Sequence, residues 1–194
     1  MTLLAGLCLA VAACTDAQPA GDIPASTTPL ILPAADRQDA VPASEPTRLM
    51  IASIGLDKQI RALPESVCPT IDPPTLSDPY WLACRSQPGT DSPGTTFIAG
   101  HAVSGGDGVF NDLEDVVVGE SVTVATRTGV LTYRVSSVRA YGRHGEIQSA
   151  PQLREQIPGR LLLVTCRLDE AGLTDENLVV QADLVASSAH PLVE

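Results

Sequence analysis

The chain has 194 residues, with Lys+Arg 12 against Asp+Glu 23 for a formal net charge of -11; it is 44% hydrophobic but only 3% aromatic. One globular domain plus a tail fits this length at roughly 100–200 residues per domain. The negative balance argues against nucleic acid or an anionic membrane face as a partner, and the scarcity of aromatic rings counts against base-stacking modules. No uninterrupted apolar run of about 18 residues occurs, so no conventional spanning helix is expected.

The opening run MTLLAGLCLAVAAC, residues 1–14, is apolar up to Cys14 and then turns polar. It reads as the apolar part of an export signal followed by small residues at a cleavage site. The basic stretch that normally precedes such a run is missing, which leaves a start upstream of Met1 open. Val11-Ala12-Ala13-Cys14 resembles a bacterial lipobox, making Cys14 the expected lipid-attachment residue; the competing reading is an exported segment with an incidental cysteine. Two acyl chains would anchor such a protein stably at about 0.8 kcal/mol per buried methylene. Either way the expected location is outside the cytoplasm, at the outer face of the cell membrane if Cys14 carries lipid. Residues 15–46, rich in Ala, Pro, Thr, Ser and Asp, have the composition of a flexible linker.

From residue 47 the pattern changes to short strands between Gly/Pro turns, and a domain over 47–188 is expected, followed by a tail at 189–194. Strands are expected at Leu49–Ile54, Thr95–Ala99, Glu120–Ala125, Leu131–Val135, Leu161–Thr165 and Leu178–Leu184. The third and fourth, joined by Thr126-Arg127-Thr128-Gly129, suggest a hairpin. Short helices are expected at Val109–Val116 and Ala150–Gln156. Many short strands with Gly/Pro turns point to a mainly β fold, a closed or nearly closed barrel.

Of the five cysteines, Cys8 and Cys14 belong to the opening run. Outside the cytoplasm disulfides persist, and Cys68 and Cys84 bracket a proline-rich loop; a bridge there would stabilise by about 3 kcal/mol in the chain-entropy model. The alternative is two unrelated thiols. Cys166 remains, at the end of the apolar run Leu161-Leu162-Leu163-Val164-Thr165, either as a small buried hydrophobe or as a nucleophile. Of the three histidines, His190 lies in the tail and His144 in a loop, whereas His101 ends the strand Phe97-Ile98-Ala99 after Gly100. One Cys and one His at strand ends are what thiol-based acyl transfer requires: the thiolate attacks a carbonyl carbon and the imidazolium protonates the departing amine. The histidines are scattered and no Asp/Glu set has calcium-loop spacing, so neither metal nor cofactor is implied.

The strand Thr95–Ala99 running into Gly100-His101, and the later Leu162-Leu163-Val164-Thr165-Cys166, together resemble the two active-site strands of sortases, the cysteine transpeptidases. Pro73-Pro74, Trp81 and Pro93-Gly94 before the histidine resemble the actinobacterial class E and F branches. Phe110-Asn111-Asp112-Leu113, Gly119-Glu120 and Asn177-Leu178-Val179-Val180 continue the match in order. The resemblance implies a closed eight-stranded β-barrel, with Cys166 as the nucleophile of an acyl-thioester and His101 as the acid/base. It implies that Thr165 lines the substrate groove or helps place the oxyanion donors. It also implies sorting-signal peptides of secreted proteins as substrates, and a peptidoglycan precursor or pilin amine as acceptor.

One departure stands out. The family's arginine, a few residues before the Val-Val run, is absent; Asp175 or Glu176 stands nearest its aligned position. Arg167 could have taken over its role, Arg143 or Arg85 could reach in, or the barrel could be catalytically impaired. The leading expectation is a transpeptidase, against a sortase-fold binding module or a thioester hydrolase.

Overall fold

In the computed structural model, which describes residues 38–67, 71–142 and 150–189, nine short strands follow one another with brief helical turns between them. The strands are β1 (Pro46–Ile51), β2 (Leu56–Gln59), β3 (Arg61–Leu63), β4 (Tyr80–Leu82) and β5 (Thr96–Ala99), then β6 (Ser121–Thr126), β7 (Val130–Gly142), β8 (Arg160–Asp169) and β9 (Gly172–Ser188). The described residues all belong to one compact unit, Leu32–Glu194. The expected signal segment with Cys8 and Cys14 lies outside the described residues, as do Cys68, Arg143, His144 and His190.

The strands form one sheet in the order β2-β1-β6-β7-β9-β8-β5-β4-β3. Its two edge strands, β2 and β3, are consecutive in the chain and separated by Ile60 alone. Counted as one bent strand, they join the edges of the sheet into a nearly closed barrel, and the expected eight strands and the observed nine describe the same architecture. Most neighbours are antiparallel. The exceptions are β3 with β4 and β5 with β8, which run parallel.

Local chemistry explains the turns. Gly55, at φ +63, closes the 3-10 turn Ala52–Ile54 that ends β1, donating its N–H to the Ala52 carbonyl. Thr126 Oγ1 accepts the N–H groups of Thr128 and Gly129 and fixes the β6–β7 hairpin. The helix expected at Val109–Val116 is a 3-10 turn at Asn111–Asp115, and that expected at Ala150–Gln156 is a single α-helical turn, α1 (Pro151–Arg154).

The linker expected to run to residue 46 ends earlier in the structure. Val41 is fully buried, its carbonyl accepts the Thr90 N–H at 2.8 Å, and Gln38 bridges to Ser187. The physical reason is Gly129: a Cβ there would sit 2.8 Å from Val41 Cγ2, so the missing side chain makes room for the valine.

Two apolar clusters lie on opposite sides of the sheet. The larger, inside the barrel, includes Ile98, Phe110, Leu113, Leu161, Leu163, Leu178 and Val180. The smaller includes Phe97, Ala99, Leu162, Val164 and Val179, covered by Leu153 of α1. Successive residues of β5 and β8 alternate between the two, which is why both strands read as unbroken apolar runs.

Candidate active site

The parallel register of β5 on β8 runs from Thr96 opposite Leu161 to Ala99 opposite Val164, and the Gly100 N–H continues it with a bond to the Val164 carbonyl at 3.1 Å. Two residues beyond the last pair, His101 comes level with Cys166. On the other side of β8, Cys166 pairs with Asn177 of β9, and Asn177 in turn pairs with Tyr141 of β7. Cys166, Asn177 and Tyr141 therefore form one row across β8, β9 and β7, and His101, two residues past the end of β5, continues it in the same register. Alternation carries this row onto the face of Ala99, Val164 and Val179, the smaller cluster. All four side chains are half-buried.

His101 is held from two sides. Its Nε2 lies 2.8 Å from the Pro73 carbonyl oxygen. A carbonyl can only accept, so Nε2 carries the proton and Nδ1 is the nitrogen left to exchange one. The Phe110 N–H donates to the His101 carbonyl at 2.9 Å. Gly100 is required by crowding: a Cβ there would meet Phe110 and Val109 at 2.7 Å. The loop after His101 is braced by Asn111, whose Oδ1 accepts from the Val103 N–H at 2.8 Å and whose Nδ2 donates to the Gly106 carbonyl at 2.7 Å. Asn111 belongs to the motif Phe110-Asn111-Asp112-Leu113 but has no role in the resemblance; its position after the Gly-rich stretch Gly105 to Gly108 is the sequence signal for this bracing.

Cys166 is a free thiol, whereas Cys84 is disulfide-bonded. Thr165 does not line the face of Cys166. Alternation turns it to the barrel interior, where its hydroxyl is buried without a hydrogen-bond partner. Arg167 also faces away from Cys166. Its Nη1 donates to Glu176 Oε2 at 2.6 Å and its Nη2 lies 3.5 Å from Glu114 Oε1, so the two carboxylates hold its pKa above the usual arginine value, Glu176 contributing most.

The register settles which residue faces the thiol across the β8–β9 ladder. Asn177, and not Asp175 or Glu176, stands opposite Cys166. Glu176 is engaged by Arg167, and no carboxylate occupies the row of the thiol. Arg85 does lie on the thiol's face, its guanidinium 5.6 Å from the centre of the Phe97 ring, and burial pushes its pKa down. Phe97 is four residues before His101, about 13 Å along a strand at ~3.3 Å per residue. Arg85 is therefore remote from the thiol.

A cavity of about 680 Å³ opens elsewhere, at the seam between β1, β2 and β4, with Ile60, Trp81 and the Arg48–Asp57 ion pair on its walls. None of the row residues lines it. Among the described residues no His/Cys/Asp/Glu group is arranged to hold a metal ion, and no helix is long and apolar enough to cross a membrane.

A barrel that sets a free thiol on β8 level with a tethered imidazole just beyond β5 holds the groups that thiol-based acyl transfer needs. The sortase domain model matches residues 49–185, more than half of the chain, and the chain belongs to the sortase family. Sortase-type transpeptidases are enzymes, and this chain is one of that general kind. Solved structures share the fold. Listeria monocytogenes sortase A is 16% identical, with 79% of this chain and 93% of that chain covered at a TM-score of 0.59. Streptococcus suis sortase C1 is 18% identical, covering 76% of each chain at 0.58. Actinomyces oris sortase C-1 is 24% identical, covering 76% and 75% at 0.55. No curated protein sequence matches the chain.

Proposed function

We propose that this protein is an extracytoplasmic sortase that cleaves a sorting-signal peptide through an acyl-thioester on Cys166 and passes the acyl group to an amine. The observation that supports this reading is the row that sets His101 level with Cys166. The Cys166 thiol gives its proton to His101 Nδ1 as its sulfur attacks the scissile carbonyl carbon, and the carbonyl π pair moves to oxygen. Collapse of that intermediate breaks the C–N bond, and His101 Nδ1–H supplies the proton the leaving amine needs. The incoming amine then attacks the thioester, giving its proton to His101 as the C–S bond breaks. With water in place of the amine, the same steps give hydrolysis. The acceptor is a peptidoglycan-precursor or pilin amine, and the Pro73-Pro74, Trp81 and Asn177–Val180 motifs favour the class E/F branch.

The rest of the chain fits an exported enzyme. Lipid on Cys14 would anchor it at the outer face of the cell membrane, the segment from residue 15 would act as a tether, and a bridge between Cys68 and Cys84 would brace the loop before β4. Detergent partition that is unchanged in Cys14→Ala would remove the lipid anchor. Free thiols at Cys68 and Cys84 in non-reducing peptide maps would remove the bridge.

Mass spectrometry after incubation with a panel of sorting-signal peptides should find a Cys166 adduct that Cys166→Ala abolishes. Absence of both adduct and cleavage across the panel defeats the enzymatic reading. A second reading, a binding module without turnover, is favoured by one observation: among the described residues, the row around Cys166 contains no arginine or lysine. It expects peptide affinity that survives Cys166→Ala and His101→Ala with no product. An added amine that yields a ligated product separates transfer from hydrolysis.

A further inference from the structure

The row that carries Cys166 has a member to which the resemblance gives no role. Asn177 is paired directly with Cys166 across the β8–β9 ladder, so their Cβ atoms are about 4.5–5.5 Å apart and both side chains leave the same face. The carboxamide makes no hydrogen bond to any described residue, although the side chain is half-buried. Its neighbours in the row are committed: His101 to the Pro73 carbonyl, and Tyr141 to a contact of its own. A half-buried amide with two free N–H donors beside a nucleophilic sulfur is suited to one task. It can meet the oxygen of a carbonyl under attack.

We infer that Asn177 is the oxyanion donor of this enzyme, supplying from a neutral amide the stabilisation that an arginine would supply with charge. The inference rests on the thioester reading above. When the Cys166 sulfur bonds to the carbonyl carbon, the π pair moves to oxygen, and Asn177 Nδ2–H donates to that oxygen until collapse returns the pair and expels the amine. No proton is transferred from Asn177 and no further reagent is needed. Among the described residues, the arginines nearest the thiol have other positions or partners. Arg167 is turned to the opposite face and bound by Glu176 and Glu114. Arg85 is stacked on Phe97. Arg139 stands on β7, opposite Val179, two strands across and two residues along from Cys166, about 12 Å away at ~4.8 Å per strand and ~3.3 Å per residue. A neutral donor also suits a site whose own row holds no carboxylate to balance a cation.

The test compares two reactions of the same thiol. Acylation by a p-nitrophenyl ester of N-acetyl-threonine passes through an oxyanion; alkylation by iodoacetamide, a displacement at saturated carbon, does not. Asn177→Ala and the near-isosteric Asn177→Asp should slow acylation, read as p-nitrophenolate release, by about 100- to 1,000-fold. Alkylation of Cys166 in Asn177→Ala should stay within about twofold, because that displacement develops no charge for an oxyanion donor to stabilise. Equal losses in both reactions would mean that Asn177 acts on the thiol or on folding, and unchanged acylation would mean that it does nothing; either result overturns the inference. A wild-type thiol that alkylates but never acylates overturns the thioester reading and this one with it, an outcome distinct from the other two. Arg139→Ala matching Asn177→Ala in acylation would transfer the role to the arginine and overturn it as well.

Discussion

Cys166 and Arg167 are adjacent in the chain, and the sheet sends them to opposite worlds. On one side, Cys166 shares a row with His101 and Asn177, an imidazole and an amide beside a free thiol. On the other, Arg167 is clasped by Glu176 and Glu114 next to the buried hydroxyl of Thr165. The difference teaches that proximity in sequence is a poor guide to proximity in a β-site. The residue after the nucleophile is structurally remote from it, while a residue eleven positions later is its partner. One side is arranged to react and the other to hold the hairpin together.

Substitutions can break that division or sharpen it. Leu163→Ala, on the interior side three residues before Cys166, should cost about 2–5 kcal/mol of unfolding free energy in a denaturant titration. A loss well under 1 kcal/mol would mean that the interior is looser than its full burial indicates. Gly100→Ala forces a methyl against Phe110 and Val109 and should cost about 1–3 kcal/mol. It should also displace His101, so acylation of Cys166 should fall more than the stability loss accounts for; a variant with normal acylation would show that the imidazole is not fixed by this contact. Arg167→Ala leaves Glu114 and Glu176 facing each other. A lower melting temperature with nearly unchanged acylation is expected, and acylation lost as in Asn177→Ala would return Arg167 to the reacting side. Thr165→Val removes an unpartnered buried hydroxyl and keeps the shape, so stability should be unchanged or rise by up to about 1 kcal/mol. Acylation lost in Thr165→Val would contradict its interior orientation.

The parts legible in the sequence are those whose pattern survives without knowledge of neighbours. β5, β6, β8 and β9 announce themselves through apolar runs or period-two alternation between turns. β2, Leu56-Asp57-Lys58-Gln59, has one apolar residue, and β3 and β4 are three residues each; pairing alone makes them strands. β7 was expected to end at Val135 because the register shifts between Val135 and Ser137, and the shift breaks the alternation that continues to Gly142. In the site, His101 was legible as the residue just beyond a strand, and Cys166 as the close of an apolar run, although β8 continues past it to Asp169. Asn177 was not, because the β8–β9 ladder is irregular: from Cys166 opposite Asn177 it passes to Leu168 opposite Leu173, one residue on β8 spanning three on β9. A count along the chain therefore lands on Asp175 or Glu176. The interior orientation of Thr165 and Arg167 depends on the same alternation.

The parallel pairing of β5 with β8 has a consequence for how the protein matures. His101 and Cys166 are brought level by strands that no hairpin connects, so their meeting waits on long-range closure, the slow part of β folding. Until then Cys166 is an ordinary thiol on an unfinished chain, open to exchange with whatever bridge Cys84 has already formed. Assembly of the barrel is thus also the step that turns Cys166 from an open-chain thiol into one held in place on β8. Refolding in the presence of a mild oxidant should leave a larger fraction of mispaired Cys166 the more slowly the barrel closes.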